Sequence, residues 1–552
     1  MEKKGIAKLT IAVIAIIVIV VAAIFGYYAY TTMFAPKPAE EKVLRIGMPR
    51  DVRALDPGIV KTNIEVSVER LIYEPLIRMT LVDGKLETEP WIAESWKPVD
   101  EKTWEVKIRK GVKFHNGREL TAKDVAWNLN RVAYWTNITA PKFCLGLLNR
   151  FEAIDQYTLR VGADQPVAAG FSYLGETHNL PTACPEEVLK PGFGTERFCG
   201  TGPYKCIERI KGERLVFVKN EDYWNKDHPP TFDKIIVKII PDATARVIAL
   251  ETGEIDYMTH VPPAEVNRLK NKGFEVDVYR HHRNIYYWIN TAKPPTDDIR
   301  VRLAINYAVD KKTIAKELYF DMVTPADGVF VEGPPGRVMF AEAKNEPMFP
   351  YNPEKAKQLL AEAGYGPDNP CPITIWNSID RYLLDKDLGV AIAGYLNKNG
   401  FKVTLEQMEF GSLQGKAMSN CRLVQEGKAS PADFPYHVGI YSLAIITMDL
   451  DWGLNINWWS KSAESLTFWW VPGRYGTALP KEFDDLYLKQ SSTLDTKERY
   501  AIMERMQRMI YDAVPYLFMH SESTIAARVP YLKGVTSRAE YYYWYDAYFE
   551  KR

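Results

Sequence analysis

Ile373-Thr374-Ile375-Trp376 and Phe401-Lys402-Val403-Thr404-Leu405 are two short runs rich in β-branched and aromatic residues, and roughly residues 384–398 between them read as a helix. Strand, helix, strand is a βαβ unit, so the chain is of mixed α/β class. Upstream, Pro353 to Ala363 reads as a helix stopped by Gly364. Asp297 to Tyr319 reads as one long helix, with Val301, Ala304, Ile305, Ala308 and Val309 on its apolar face. Downstream, Tyr436-His437-Val438-Gly439-Ile440-Tyr441 reads as a strand, Lys497 to Ala513 as a helix and Tyr516-Leu517-Phe518-Met519 as a strand.

The first half continues the pattern. Val43-Leu44-Arg45-Ile46-Gly47 alternates as a strand, and residues 59–79 carry a helical pattern broken at Pro75. Trp104-Glu105-Val106-Lys107-Ile108 alternates again and leads to the turn Asn116-Gly117. Thr121 then opens a helix, with Asp124 where a capping-box acid belongs. Leu215-Val216-Phe217-Val218 and Ile235 to Ile240 are strands, and Ala243 to Thr252 a helix closed by Gly253. No period of 20–50 residues repeats, which argues against a solenoid or propeller.

The 552 residues correspond to three or four domain-sized units. Lys and Arg total 70, balanced by 70 Asp and Glu, and that zero net charge argues against a nucleic-acid binder. Aromatics reach 12%, with 32 Tyr and 14 Trp, side chains suited to wet binding clefts.

Lys3, Lys4 and Lys8 precede 22 uncharged residues, Leu9 to Tyr30, long enough as a helix to span about 33 Å. The expectation is a signal or anchor helix over 1–33, holding the N-terminus inside and the rest outside, followed by a Pro-spaced linker at 34–42. No Cys lies near the run, which excludes a lipid anchor on Cys. Lys3-Lys4-Gly5 resembles the prepilin-type signals of some archaeal binding proteins. The six cysteines, at 144, 184, 199, 206, 371 and 421, form no C-x-x-C. Outside the cell an even count suggests disulfides, and six allow 15 pairings. The expected set is Cys371–Cys421 plus two bridges among the other four.

Four stretches together resemble family 5 of the extracellular solute-binding proteins, the peptide and oligosaccharide receptors of ABC importers. They are Pro90 to Trp96 with Ile108 to Gly117 and Leu120 to Val125; Gly200-Thr201-Gly202-Pro203-Tyr204 with Asn220 to Trp224; Asp298 to Asp310; and Tyr351 to Tyr365. They run in the family's order. The resemblance implies a two-lobe periplasmic-binding-protein-like fold that closes on a ligand. Lobe I covers 43–282 with a return at 517–552 and carries a subdomain at about 85–195. Lobe II covers 283–516, and the hinge lies near Ile285 to Asn290 and near Pro515-Tyr516.

In peptide-binding members an acid at about residues 436–475 receives the peptide's ammonium group, which makes Asp449 the first candidate and Asp451 the second. The family's usual Asp-Pro after the acid is missing. Trp452, Trp458, Trp459, Trp469, Trp470 and Tyr475 are dense enough that some are expected to line the cleft. Trp376, at a strand end, is a further candidate. On lobe I, Met48, Arg50 and Asp51 follow the first strand and face the cleft, where backbone groups pair with an extended peptide and Arg50 or Arg53 receives a carboxylate.

No catalytic residue, metal or cofactor is expected. Gly-x-Ser-x-Gly and His-Glu-x-x-His are absent, and Asp449 and Asp451 sit too close in sequence to flank a sugar bond. His115 is a lone turn residue, and His281-His282 point to opposite faces of a strand, which is too few converging ligands for a metal. Partners are therefore an oligopeptide or, alternatively, an oligosaccharide, ABC permease subunits, and the membrane through the N-terminal helix.

Overall fold

The computed structural model describes residues 18–27, 41–59, 63–82, 85–135, 145–175, 182–444, 449–459, 481–538 and 541–550. Residues 1–42 and 43–552 are two separate units. In the first, residues 18–27 are helical and exposed, and the rest of the expected span Leu9 to Tyr30 lies outside the described residues. Among the described residues no helix is long and apolar enough to cross a membrane.

Two long strands form the centre of the second unit. Glu275–Ile289 and Tyr516–Arg528 pair antiparallel, with Glu275 opposite Arg528 and Trp288 opposite Tyr516. Different partners flank their two ends. At the Arg528 end Tyr257–Thr259 pairs in, then Val43–Met48, then Lys234–Ile239, with Arg214–Lys219 and Tyr204–Ile210 completing the edge. At the Ile289 end Val438–Ala444 pairs in, then Cys371–Ser378 and Phe401–Met408.

The βαβ reading of 373–405 holds. Cys371–Ser378 and Phe401–Met408 are parallel, joined by the helix Asp385–Lys398, which buries Leu388, Ile392 and Leu396 at four-residue spacing. A strand buried on both faces needs a near-continuous apolar run, and Ile373, Ile375 and Trp376 are all buried. Leu44, Ile46 and Met48 belong to a second core with Phe217, Val237, Ile525 and Trp544, distinct from the one around Ile373.

Two helices differ from expectation. The 297–319 pattern is broken into Ile299–Ala308 and Lys311–Glu317, because Val309 is extended and the Asp310 carboxylate accepts from the Thr313 N–H at 3.0 Å, capping a new start. Among the described residues of the 59–79 pattern the helix is Asn63–Glu69. After Pro75 the chain becomes the strand Ile77–Val82, hairpinned to Lys85–Pro90. The late strand, expected over four residues, runs for 13.

The segment 93–162 folds into a four-stranded antiparallel sheet in the order Ala93–Asp100, Thr103–Ile108, Thr158–Gly162, Arg150–Ala153, with the helix Ala122–Tyr134 packed on it. Asp124 accepts from the Thr121 N–H at 2.8 Å, as the capping reading requires. The turn at Asn116-Gly117 presents His115, whose N–H donates to the Gly200 carbonyl and whose Nε2 lies 2.9 Å from the Gly202 carbonyl. Two stretches far apart in sequence thus meet backbone to backbone. Gly202 also donates to the Ile72 carbonyl at 2.8 Å, so closely that a Cβ on it would lie 2.6 Å from the Ile72 carbonyl carbon and 2.7 Å from the Leu71 oxygen. Gly202→Ala is expected to destabilise the fold by about 1–3 kcal/mol, measured by urea unfolding; an unchanged midpoint would show that this crossing can relax.

His520 is buried and His115 and His437 are half-buried, all three favoured as neutral rings. Burial lowers His520 to about 3, and lowers His115 and His437 to about 4. The unfolded chain binds these protons first, near pH 6.5, so stability is full above that value and is lost as pH falls toward the folded values. His520 by itself costs about 2 kcal/mol between pH 7 and pH 5. His520→Phe should flatten that part of the pH profile of the unfolding midpoint, and an unaltered profile would count against a neutral buried ring.

Candidate ligand cleft

Followed through the strand registers, Val43–Met48 runs toward the Ile289 end of the central pair, and Cys371–Ser378 runs the opposite way. Their carboxyl ends face each other along the middle of the two long strands. Ligands in open α/β sheets settle beyond the carboxyl ends of the strands, so the residues just after Met48 and Ser378 are the natural site.

Met48 itself is fully buried, and its carbonyl accepts from Ile240. Asp51 turns into its own half, accepting from the N–H groups of Val52 at 2.7 Å and Gly212 at 2.9 Å with Arg209 3.7 Å away. Arg50 lies between them. Burial, then the facing Arg381, push its guanidinium below the ordinary value, and Glu65 and Asp380 act the other way. Arg53, largely exposed, pairs at 3.2 Å with the buried Glu65.

On the facing side Arg381 lies over the rings of Tyr382 and Phe410, at 5.1 and 5.5 Å. Asp380 accepts from the Phe410 N–H at 2.7 Å. Trp376 is nearly fully buried, 4.4 Å from Tyr436 ring to ring, with the Lys416 ammonium over its face at 5.5 Å. Asp380 and Arg381 were not among the sequence candidates, although their place directly after a βαβ strand could have singled them out.

The 449–459 segment holds a helix, Leu450–Trp458. Asp449 is its N-cap, accepting from the Asp451 N–H at 2.9 Å, and receives both Arg499 Nη atoms at 2.7 and 2.8 Å. Asp451 is buried, 1% exposed, and accepts from the Tyr173 hydroxyl, Gln490 Nε2 and the Ser491 hydroxyl. Burial, then the neighbouring Asp449 charge, raise its carboxyl, and Arg499 pulls it back. Both acids therefore hold protein partners. Trp452 packs on Tyr173 at 6.2 Å and Trp458 on Tyr516 at 5.0 Å, both inside the core. Trp459 is half-buried on Tyr487 at 4.9 Å. Trp469, Trp470 and Tyr475 lie outside the described residues.

Tyr173 belongs to the segment around the 93–162 sheet, and Asp451 lies 278 residues away. The Ala168 N–H donates to the Ser491 carbonyl at 2.7 Å beside it. These contacts join two parts of the chain far apart in sequence. Nothing local in the sequence marks Tyr173, Gln490 or Arg499, because each acts on an acid far along the chain.

The expected bridge at Cys371 is not formed: Cys371 is a buried thiol, and Cys184, Cys199 and Cys206 are thiols as well. Cys144 and the Cys421 side chain lie outside the described residues. His281 and His282 lie within the strand Glu275–Ile289.

Comparison with known proteins agrees with this architecture. The family profile of the bacterial extracellular solute-binding proteins, family 5 Middle, matches residues 87–458. The glutathione-binding protein GsiB of Shigella flexneri serotype 5b is 26% identical over 509 residues, covering 90% of this chain and 92% of that protein. The ABC transporter-associated periplasmic binding protein DppA of Helicobacter pylori, solved with the peptide STSA, is 26% identical and superposes with a TM-score of 0.76 over 93% of this chain and 99% of its own. The dipeptide-binding protein of Pseudoalteromonas sp. SM9913, solved with Met-Leu, gives a TM-score of 0.78 at 21% identity over 92% of this chain and 100% of its own. With the profile spanning more than half of the sequence and the two-lobe α/β fold shared over 92–93% of it, the chain belongs to the bacterial extracellular solute-binding proteins of family 5.

Proposed function

We propose that this protein is the extracellular receptor of an ABC importer and that it captures an oligopeptide between two closing lobes. The lobes are 43–282 with the return 517–552, and 283–516, and the first carries the subdomain at about 85–195. The observation that carries this reading is the opposition of the two strand ends, with Arg50 after one and Arg381 after the other. Two guanidiniums facing each other in a partly buried cleft repel, and an anionic group placed between them relieves the repulsion. A peptide carboxylate has that charge, and the Tyr382 and Phe410 rings beside Arg381 offer apolar contact to its side chains.

Asp449 and Asp451, expected as ammonium acceptors, would act on a ligand only by exchanging Arg499 or Tyr173 for it. The role proposed for them is therefore to hold the rim, with Trp452 and Trp458 packed behind. Capture requires closure alone and no bond-making. The uncharged run before the linker at 34–42 is proposed to tether the receptor to the outer membrane face, testable by detergent partitioning of the full chain.

Calorimetry on residues 43–552, a compact unit by itself, tests the function. Tri- to pentapeptides should bind, and malto- and cello-oligosaccharides should give no heat. Binding of a sugar without peptide binding would replace the ligand assignment. Tight peptide binding unaltered by Arg50→Ala and Arg381→Ala would remove the two arginines from it.

A further inference from the structure

Cys184 and Cys199 lie against each other. The Cys184 N–H donates to the Cys199 carbonyl at 3.0 Å, and the two side chains act on one another directly. Both are buried. A backbone hydrogen bond directly between two residues brings their Cα atoms near the range of about 4.4–6.8 Å that a disulfide bridges. The other described cysteines differ: the Cys206 thiol donates to the Glu208 carbonyl at 3.6 Å, and burial pushes both Cys206 and Cys371 up to about 12. The segment closed by the pair is roughly 15 residues long, a length at which a cross-link restricts the unfolded chain appreciably.

What that segment does gives the pair its interest. The Gly194 carbonyl accepts from the Leu55 N–H at 2.7 Å, just beyond Arg50 and Arg53, and Asp56 next to it forms a buried pair with Arg131. At its far end Cys199 leads straight into Gly200 and Gly202, the crossing held by His115 and Ile72. At its near end Asn116 Nδ2 donates to the Cys184 sulfur at 3.2 Å. A link between 184 and 199 therefore ties the signature turn, the glycine crossing and the cleft's edge into one rigid piece.

We propose that Cys184 and Cys199 form a disulfide in the exported protein, fixing this edge of the cleft. The membership of the chain in an extracellular family places the pair where thiols oxidise. The reaction is thiol–disulfide exchange with a small oxidised disulfide such as glutathione disulfide. In the loop before it packs, the Cys199 thiol gives its proton to solvent and reacts as the thiolate. That sulfur attacks one sulfur of the oxidant and expels a thiolate. The Cys184 proton passes to the departing thiolate, and the Cys184 sulfur then attacks the Cys199 sulfur, releasing the second thiol. Two protein thiols and one disulfide become one protein disulfide and two thiols. Because both sulfurs are buried once packed, the exchange takes place before this loop closes.

The test refolds the full chain with glutathione disulfide, quenches with acid, and labels remaining thiols with N-ethylmaleimide in denaturant before peptide mapping by mass spectrometry. The expected map has Cys184 and Cys199 unlabelled in one linked peptide pair, two hydrogens lighter than the separate thiols, with Cys206 and Cys371 labelled. In Cys184→Ser, Cys199 should become labelled. Reduction of the oxidised protein should lower its thermal midpoint by several degrees. Labelling of Cys184 and Cys199 to the extent of Cys206, or recovery of either one linked to Cys206, overturns the proposal, and the wild-type map decides even if the serine variant does not fold.

Discussion

Asp449→Ala lowers the stability of residues 43–552 by about 3 kcal/mol, read as a shift of the urea midpoint at pH 7. The size follows from what the substitution leaves behind. Arg499 is 8% exposed at its side chain and gives both Nη atoms to Asp449. Without the carboxylate, the buried guanidinium keeps, among the described residues, the Gln490 side-chain oxygen at 3.3 Å as its hydrogen-bond acceptor. The helix Leu450–Trp458 also loses its cap, the bond from the Asp451 N–H, worth about 1 kcal/mol by itself. The estimate sits at the low end for buried pairs because a fifth of the Asp449 side chain remains exposed. Replacing both members, Asp449→Asn with Arg499→Met, should recover much of the loss, since no unpaired charge then remains. A single-variant loss below about 1 kcal/mol would show that the pair is not structural, and a selective loss of peptide affinity at full stability would return Asp449 to the ammonium role.

Tyr173→Phe weakens ligand binding by roughly ten- to a hundredfold while leaving the unliganded fold almost unaltered. The hydroxyl is the only atom removed, and its bond to the buried Asp451 carboxylate is charge-assisted, worth about 1.5–3 kcal/mol. Asp451 keeps Gln490 and Ser491 as donors, so its own segment is not orphaned. If the rim contact exists only when the lobes are shut, its loss subtracts from the closed state and therefore from apparent affinity. The backbone bond from Ala168 to Ser491 alongside is untouched by the substitution. Calorimetric titration with a binding peptide, set beside urea unfolding of the empty protein, separates the cases. A stability loss without an affinity loss would mean that the contact persists in the empty receptor.

The α/β class, the parallel pair at 371–408, the helix after Asn352 and the capped helix after Thr121 were legible in the sequence. Each is encoded within a few neighbouring residues, by alternation, by helical spacing or by a capping side chain. The break at Asp310 was encoded locally too, yet the apolar face running from Val301 to Val309 concealed it. Tertiary structure alone decided the fate of the charged and aromatic candidates. Asp449 and Asp451 looked like free acids, but Arg499 lies 50 residues onward and Tyr173 lies 278 residues back, and a buried carboxylate takes whichever donors the fold brings within reach. Trp452 and Trp458 looked like cleft walls and became core for the same reason. Arg381 became a candidate only once strand direction turned it toward Arg50. Spacing along the chain fixes local hydrogen bonds and periodic burial; which distant groups neutralise each other depends on packing, which no local pattern encodes.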